Sequence, residues 1–139
     1  MEKLMLLPVF VQVLLTSVVM ILMGQRRIRA AKNKEISIAA FKTMNLTGAN
    51  EQVIATSRNF DNQFQMPMLY LFSVLFTLQL GLADTAYVVL GAAFVLLRVL
   101  HTFIHIGTNN VRPRFNVFLL GCAVLWAIWL RIMWQVCLA

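Results

Sequence analysis

Charge is what this sequence has least of. Only 12% of its 139 residues are Asp, Glu, Lys or Arg, while 60% are hydrophobic; a soluble domain carries roughly 25% charged residues. So few charges cannot cover an ordinary water-facing surface, so lipid must cover much of the protein. Acidic residues are scarcest, five against twelve basic ones, for a net charge of +7. That excess does not point to nucleic acid. It sits in two short stretches between apolar runs, and no soluble surface is left to carry a phosphate-binding patch. Cysteine is also rare. Cys122 and Cys137 lie in or at the end of an apolar run without C-x-x-C spacing. They read as small apolar packing side chains, and they imply no redox chemistry or compartment.

Four long apolar runs remain. Residues 4–24 hold no charge and match the ~20 residues that a helix needs to cross the hydrocarbon. A basic cluster follows this run rather than a cleavage site, so it is a span and not a signal peptide. Further spans are expected at about 64–82, 85–106 and 115–136. Asn45, Thr47, Gly48 and Asn50 read as loop, and Thr56 or Ser57 as the start of the next helix. Pro113 and Arg114 mark the start of the last. The connection after the first span, about 25–60, is basic: seven Lys or Arg lie between Arg26 and Arg58. Arg112 and Arg114 follow the third span, and the turn after the second has none. The positive-inside rule puts the first and third connections in the cytoplasm and both termini outside it. Short turns and a plain N-terminus point to a bacterial inner membrane. The expected fold is an all-α integral membrane domain over residues 1–139, a left-handed four-helix transmembrane bundle.

Polar residues near the inner leaflet carry the chemistry. Arg58, Asn62 and Gln65 stand at i, i+4 and i+7, one face of a helix leading into the second span. A guanidinium with two amides suits a carboxylate and peptide groups; a snorkelling polar helix entrance produces the same row. In the third span Arg98, His101 and His105 share a face, and a charge at that depth costs several kcal/mol without a partner or water. His101 and His105 have the spacing of a zinc pair, yet no Glu follows His101 and no acidic residue sits within a span. No metal is expected. Both rows and the Arg112–Arg114 turn fall on one side of the membrane, and together they describe a cationic pocket at headgroup level. Such a pocket suits an anionic, peptide-like ligand with an apolar co-substrate arriving from the lipid. Glutathione fits: two carboxylates, two amides and a thiol that a nearby Arg can hold as thiolate. Either Arg112 or Arg114 is placed for that role.

These motifs resemble the MAPEG family, membrane-associated proteins of eicosanoid and glutathione metabolism that include microsomal glutathione transferases. Its second-helix pattern R-x-x-x-N-x-x-E with a nearby Pro is similar to Arg58, Asn62, Gln65 and Pro67. Its third-helix pattern R-x-x-H-T-x-x-Y is similar to Arg98, His101, Thr102 and His105. Its catalytic arginine beside a proline is similar to Arg112-Pro113-Arg114. Gln65 stands where the family usually has Glu, His105 where it often has Tyr, and Met66 where some members have Tyr. The resemblance implies a homotrimer with glutathione as co-substrate, held between subunits near the cytoplasmic face. It also implies that Arg58, Asn62 and Gln65 bind the peptide, that Arg98 and His105 line the site, and that Arg112 stabilises the thiolate, a role it could exchange with Arg114. Arg26 or Arg27 would reach the glycine carboxylate from a neighbour. The expected function is glutathione transfer to lipophilic electrophiles or reduction of lipid hydroperoxides. The alternatives are a non-catalytic lipid or ligand binder and, third, a small transporter, for which a carboxylate within a span is missing.

Overall fold

The computed structural model describes residues 1–137, so the last two residues of the expected 1–139 domain lie outside the described residues. It is all-helical: α1 (Glu2–Lys32), a short 3₁₀ helix (Ile38–Lys42), α2 (Glu51–Gln63), α3 (Met66–Gln79), α4 (Thr85–Ile106) and α5 (Val111–Cys137). Three of these helices, α1, α4 and α5, are long and apolar enough to span a membrane.

The distribution of side chains is that of a protein solvated by lipid. Leu7, Phe10 and Leu14 on α1, Leu75 on α3, Leu96 and Phe103 on α4 and Leu120 on α5 all face outward. Gln12, Asn59, Gln63, Ser73, Thr77 and Arg98 are buried inside. In water that arrangement would forfeit apolar burial and desolvate polar groups at once. In a bilayer the outer residues meet their own kind, and the inner ones find partners within the protein: Gln12, Gln63 and Asn59 bond one another, and Ser73, Thr77 and Arg98 donate to main-chain carbonyls.

Three expected boundaries are corrected. The helix expected to end at residue 24 runs on to Lys32, carrying Arg26, Arg27 and Arg29 on a continuous rod, so the loop expected from residue 25 starts later. The next helix begins at Glu51 rather than at Thr56 or Ser57. Asn50 caps it, its side-chain oxygen accepting from the Val53 amide at 3.1 Å, and a good N-cap sets the start wherever it stands. Thr56 and Ser57 are instead buried mid-helix. Finally, the expected helix over 64–82 is interrupted at its start: α2 ends at Gln63 and α3 starts at Met66. Pro67, in the first turn of α3, has no N–H for the Gln63 carbonyl, and its ring clashes with that oxygen. Alone, α3 has 14 residues, a rise of about 21 Å, short of the ~30 Å hydrocarbon core.

The helices alternate in direction, so Met5 near the start of α1 joins a core with Tyr87 of α4 and Leu125, Ile128 and Ile132 of α5. The tight α3–α4 turn passes through Gly81 in the left-handed region (φ 68), where glycine carries no Cβ penalty. Asp84 caps α4 by accepting from the Tyr87 amide at 3.1 Å and pairs with Arg131 of α5. Tyr87 donates to Gln135. Halfway down, Gly91 lets α4 close onto Tyr70 of α3, since a Cβ there would stand 2.8 Å from the Tyr70 hydroxyl. Tyr70 is fully buried and stacked on Phe94, ring centroids 4.9 Å apart. Gly91→Ala is therefore expected to cost about 1–3 kcal/mol in stability through overpacking, measured as a lower melting temperature in detergent. Adding Tyr70→Phe removes the clashing atom and should recover most of the loss. If it does not, the small residue is needed for some other reason.

Candidate active site

At the end of the bundle opposite the termini, α2, α4 and α5 enclose an open cavity of about 430 Å³, within the ~300–1,000 Å³ typical of small-molecule sites. Arg58, Asp61 and Asn62 come from α2 and Gln65 from the α2–α3 link. His101 and His105 come from α4, and Val111, Arg114, Phe115 and Phe118 from α5. The wall is divided: α2 and α4 supply guanidinium, amide, carboxylate and imidazole, whereas α5 supplies two phenyl rings below one arginine.

The expected row Arg58, Asn62 and Gln65 is brought together, but not as one helical face. Gln65 lies within the break that Pro67 imposes, outside α2, and reaches the cavity from the link. His101 and His105 line the cavity as buried rings in edge-to-face contact, centroids 5.4 Å apart. Arg98 does not line it. It lies deeper, 3% exposed, beside a small void that it shares with His101 and Cys122. Its terminal nitrogen donates to the Asn62 carbonyl at 3.2 Å. Its Nε and the His101 Nδ1 are buried without a partner.

The two arginines expected in the turn before the last helix sit instead in the first turn of α5, and they separate. Arg112 is exposed and does not contribute to the cavity wall, whereas Arg114, half-buried, does. Arg114 donates to the Asn109 side-chain oxygen, and the Asn109 amide donates to Glu51 at 2.9 Å, so the turn is tied to the start of α2. Arg26 and Arg27 point elsewhere within the chain. Arg26 donates to Thr56, to the Gln52 carbonyl at 3.2 Å and to the Ile106 carbonyl at 3.5 Å. Arg27 donates to Ser57 at 3.0 Å. Both staple α1 to α2, and neither lines the cavity.

Several residues here escaped sequence reasoning. Asp61 lies between Arg58 and Asn62 and looked like one more polar residue at a helix entrance; the structure turns it onto the cavity. Phe115 and Phe118 were indistinguishable from lipid-facing residues. Gln12, an amide inside an uncharged apolar run, was the one visible anomaly of α1. It is 1% exposed and donates to Gln63 at 2.9 Å. Gln63 in turn reaches Asn59, 0% exposed, at 3.0 Å, and Asn59 meets His105 Nδ1 at 3.2 Å.

Chemically, the cavity offers Arg58 and Arg114 against the single carboxylate of Asp61, with the Arg98 cation beneath, so it favours an anion. Amides and imidazole supply directional hydrogen bonds, and the phenyl wall can carry an apolar group. Among the described residues no three His, Cys, Asp or Glu side chains gather as a metal site. No curated protein and no solved structure matches the chain. The sequence model of the MAPEG family matches residues 5–134, nearly the whole length, and the chain belongs to that family.

Proposed function

We propose that the chain is a glutathione-dependent membrane enzyme that transfers glutathione to lipophilic electrophiles or reduces lipid hydroperoxides. One observation carries this reading: a cationic, amide-lined wall and a phenyl wall face each other across a single cavity, in a chain of a family that includes glutathione transferases. Glutathione would lie along Arg58, Asn62 and Gln65, its carboxylates met by guanidinium and its amides by amides. The free thiol, with an ordinary pKa of about 8.5, would lose its proton to the water of the open cavity beside Arg114, which stabilises the thiolate. The thiolate then attacks an electrophilic carbon lying on Phe115 and Phe118. The S–C bond forms, and the displaced pair leaves with the leaving group or is protonated. For a hydroperoxide, sulfur attacks the terminal oxygen and the O–O bond breaks to release an alcohol. A second glutathione then yields the disulfide and water.

Orientation and assembly belong to the same reading. The basic end of α1, Arg58 of α2 and the start of α5 with Arg112 and Arg114 lie in the cytoplasm and both termini across the bilayer. Three copies surround the sites, so that a neighbour covers the exposed edge of the cavity around Arg58 and Gln65. Gln65 in place of an acid and His105 in place of a phenol favour the second reading, a ligand-binding relative without turnover.

Glutathione should raise the melting temperature of the detergent-solubilised protein in a saturable way, by about 2.7 kcal/mol of stability at a hundred times its Kd. An S-alkyl glutathione should stabilise more, since its chain adds contact with Phe115 and Phe118. No shift with either compound removes the proposal. A shift without conjugation or peroxide reduction leaves the binder.

A further inference from the structure

A line of buried amides runs from the middle of α1 to the cavity, and its donor and acceptor order can be worked out from its fixed ends. The Thr16 hydroxyl donates to the Gln12 carbonyl at 3.0 Å, so its lone pair faces the Gln12 amide nitrogen, 3.3 Å away. That amide also donates to Gln63 Oε1 at 2.9 Å. The other end of Gln63 lies 3.4 Å from the Asn59 main-chain carbonyl, which can only accept, so it is the NH₂ end. It donates to Asn59 Oδ1 at 3.0 Å, and the Thr102 hydroxyl approaches the same oxygen at 3.4 Å. With its oxygen so occupied, Asn59 turns its NH₂ group to His105 Nδ1 at 3.2 Å. A ring nitrogen that accepts from an amide carries no proton.

We infer that the Gln12–Gln63–Asn59 chain is a positioning relay that holds His105 as the neutral tautomer protonated on Nε2, and so gives the cavity a fixed hydrogen-bond donor. Nδ1 is committed to Asn59, which leaves Nε2 to the cavity that the ring lines. Without the relay, a neutral imidazole divides between two tautomers and presents a donor part of the time and an acceptor the rest. Asn59 and Gln63 are 0% and 2% exposed. Gln12 Oε1 alone among these amide groups lacks a partner; in that dry setting, reversing any one member would set like poles against each other, and the Asn59 main-chain carbonyl forbids reversing them all. The relay is therefore all-or-none, and Asn59, which does not line the cavity, acts only through His105. That a ligand acceptor, such as a glutathione carbonyl or thiolate, takes the Nε2 proton rests on the function proposed above. The tautomer itself does not.

The chain has two histidines, so ¹⁵N-histidine labelling gives two ring systems, and His105→Gln identifies them. Long-range ¹H–¹⁵N spectra of the solubilised protein should show His105 with an unprotonated Nδ1 and a protonated Nε2. Asn59→Asp replaces the donor with an acceptor of the same shape, and Nδ1 should then acquire a proton. Asn59→Leu should leave both tautomers populated and weaken glutathione-dependent thermal stabilisation about tenfold in apparent affinity, the worth of one hydrogen bond. A wild-type His105 protonated on Nδ1, or averaged between tautomers, overturns the relay even if neither variant folds. So does an Asn59→Asp spectrum with Nδ1 still bare. If the tautomers behave as stated but Asn59→Leu binds glutathione as well as wild type, the donor serves no ligand and the positioning role falls. Wild type that ignores glutathione altogether sinks the enzyme reading, and the spectra then still decide the tautomer.

Discussion

Replacing Arg98 with methionine is expected to stabilise this protein while impairing its site. Arg98 is a charge 3% exposed, with one terminal nitrogen on the Asn62 carbonyl and its Nε unpartnered. The one ion pair among the described residues lies at the far end of the bundle, between Arg131 and Asp84. Burying an ion costs several kcal/mol even after relaxation, and at membrane depth the cost is of the same order or larger. One hydrogen bond to a carbonyl contributes about 1.5–3 kcal/mol when the donor is charged. Desolvation therefore wins. An apolar side chain of similar length should recover about 1–4 kcal/mol, a rise of several degrees in the melting temperature at this chain length. The cation would be kept for its field at the cavity floor and its hold on the Asn62 backbone. Loss of about 1.4 kcal/mol of that potential weakens an anionic ligand tenfold, visible in the glutathione dose needed for stabilisation. A fall in melting temperature in Arg98→Met would instead make the arginine a structural keystone and remove this argument for function.

The largest kinetic effect should come from Arg114. Arg114→Ala is expected to lower conjugation of a lipophilic electrophile by about 10²-fold or more, the usual result of removing one preorganised donor from a developing or resting anion. Arg112→Ala should lose much less, because Arg112 is exposed outside the cavity whereas Arg114 lines it and is held by Asn109. Asn109 adopts the left-handed conformation (φ 51), which asparagine tolerates better than most residues. Its side chain links Arg114 to Glu51. Asn109→Ala should therefore reproduce a fraction of the Arg114 loss by releasing that side chain. Measuring kcat/KM for all three variants with one electrophile decides the matter. Equal losses in Arg112→Ala and Arg114→Ala would mean that the turn acts through charge alone and that neither arginine is aimed.

Other features of the site divide according to how far apart their causes lie in the chain. The Arg98, His101 and His105 face was readable because a single helix carries it and 3.6-residue periodicity determines who shares a side. Asn62 and Arg58 were readable for the same reason. Gln65 reached the right cavity by a different route from the one its spacing implied, because Pro67 broke the helix that the spacing assumed. The choice between Arg112 and Arg114 was undecidable from spacing, since two residues apart in the first turn of a helix point to different sides and either could face inward.

Membrane residence and the side of the bundle on which the polar residues gather follow from local composition, and the amino-acid order alone determined them: hydropathy and charge act residue by residue. Which polar groups meet was decided only by the tertiary structure. Gln12 and Gln63 are 51 residues apart and Asn59 and His105 are 46 apart. They are paired because lipid offers a buried amide no partner, so the packed helices have to supply one.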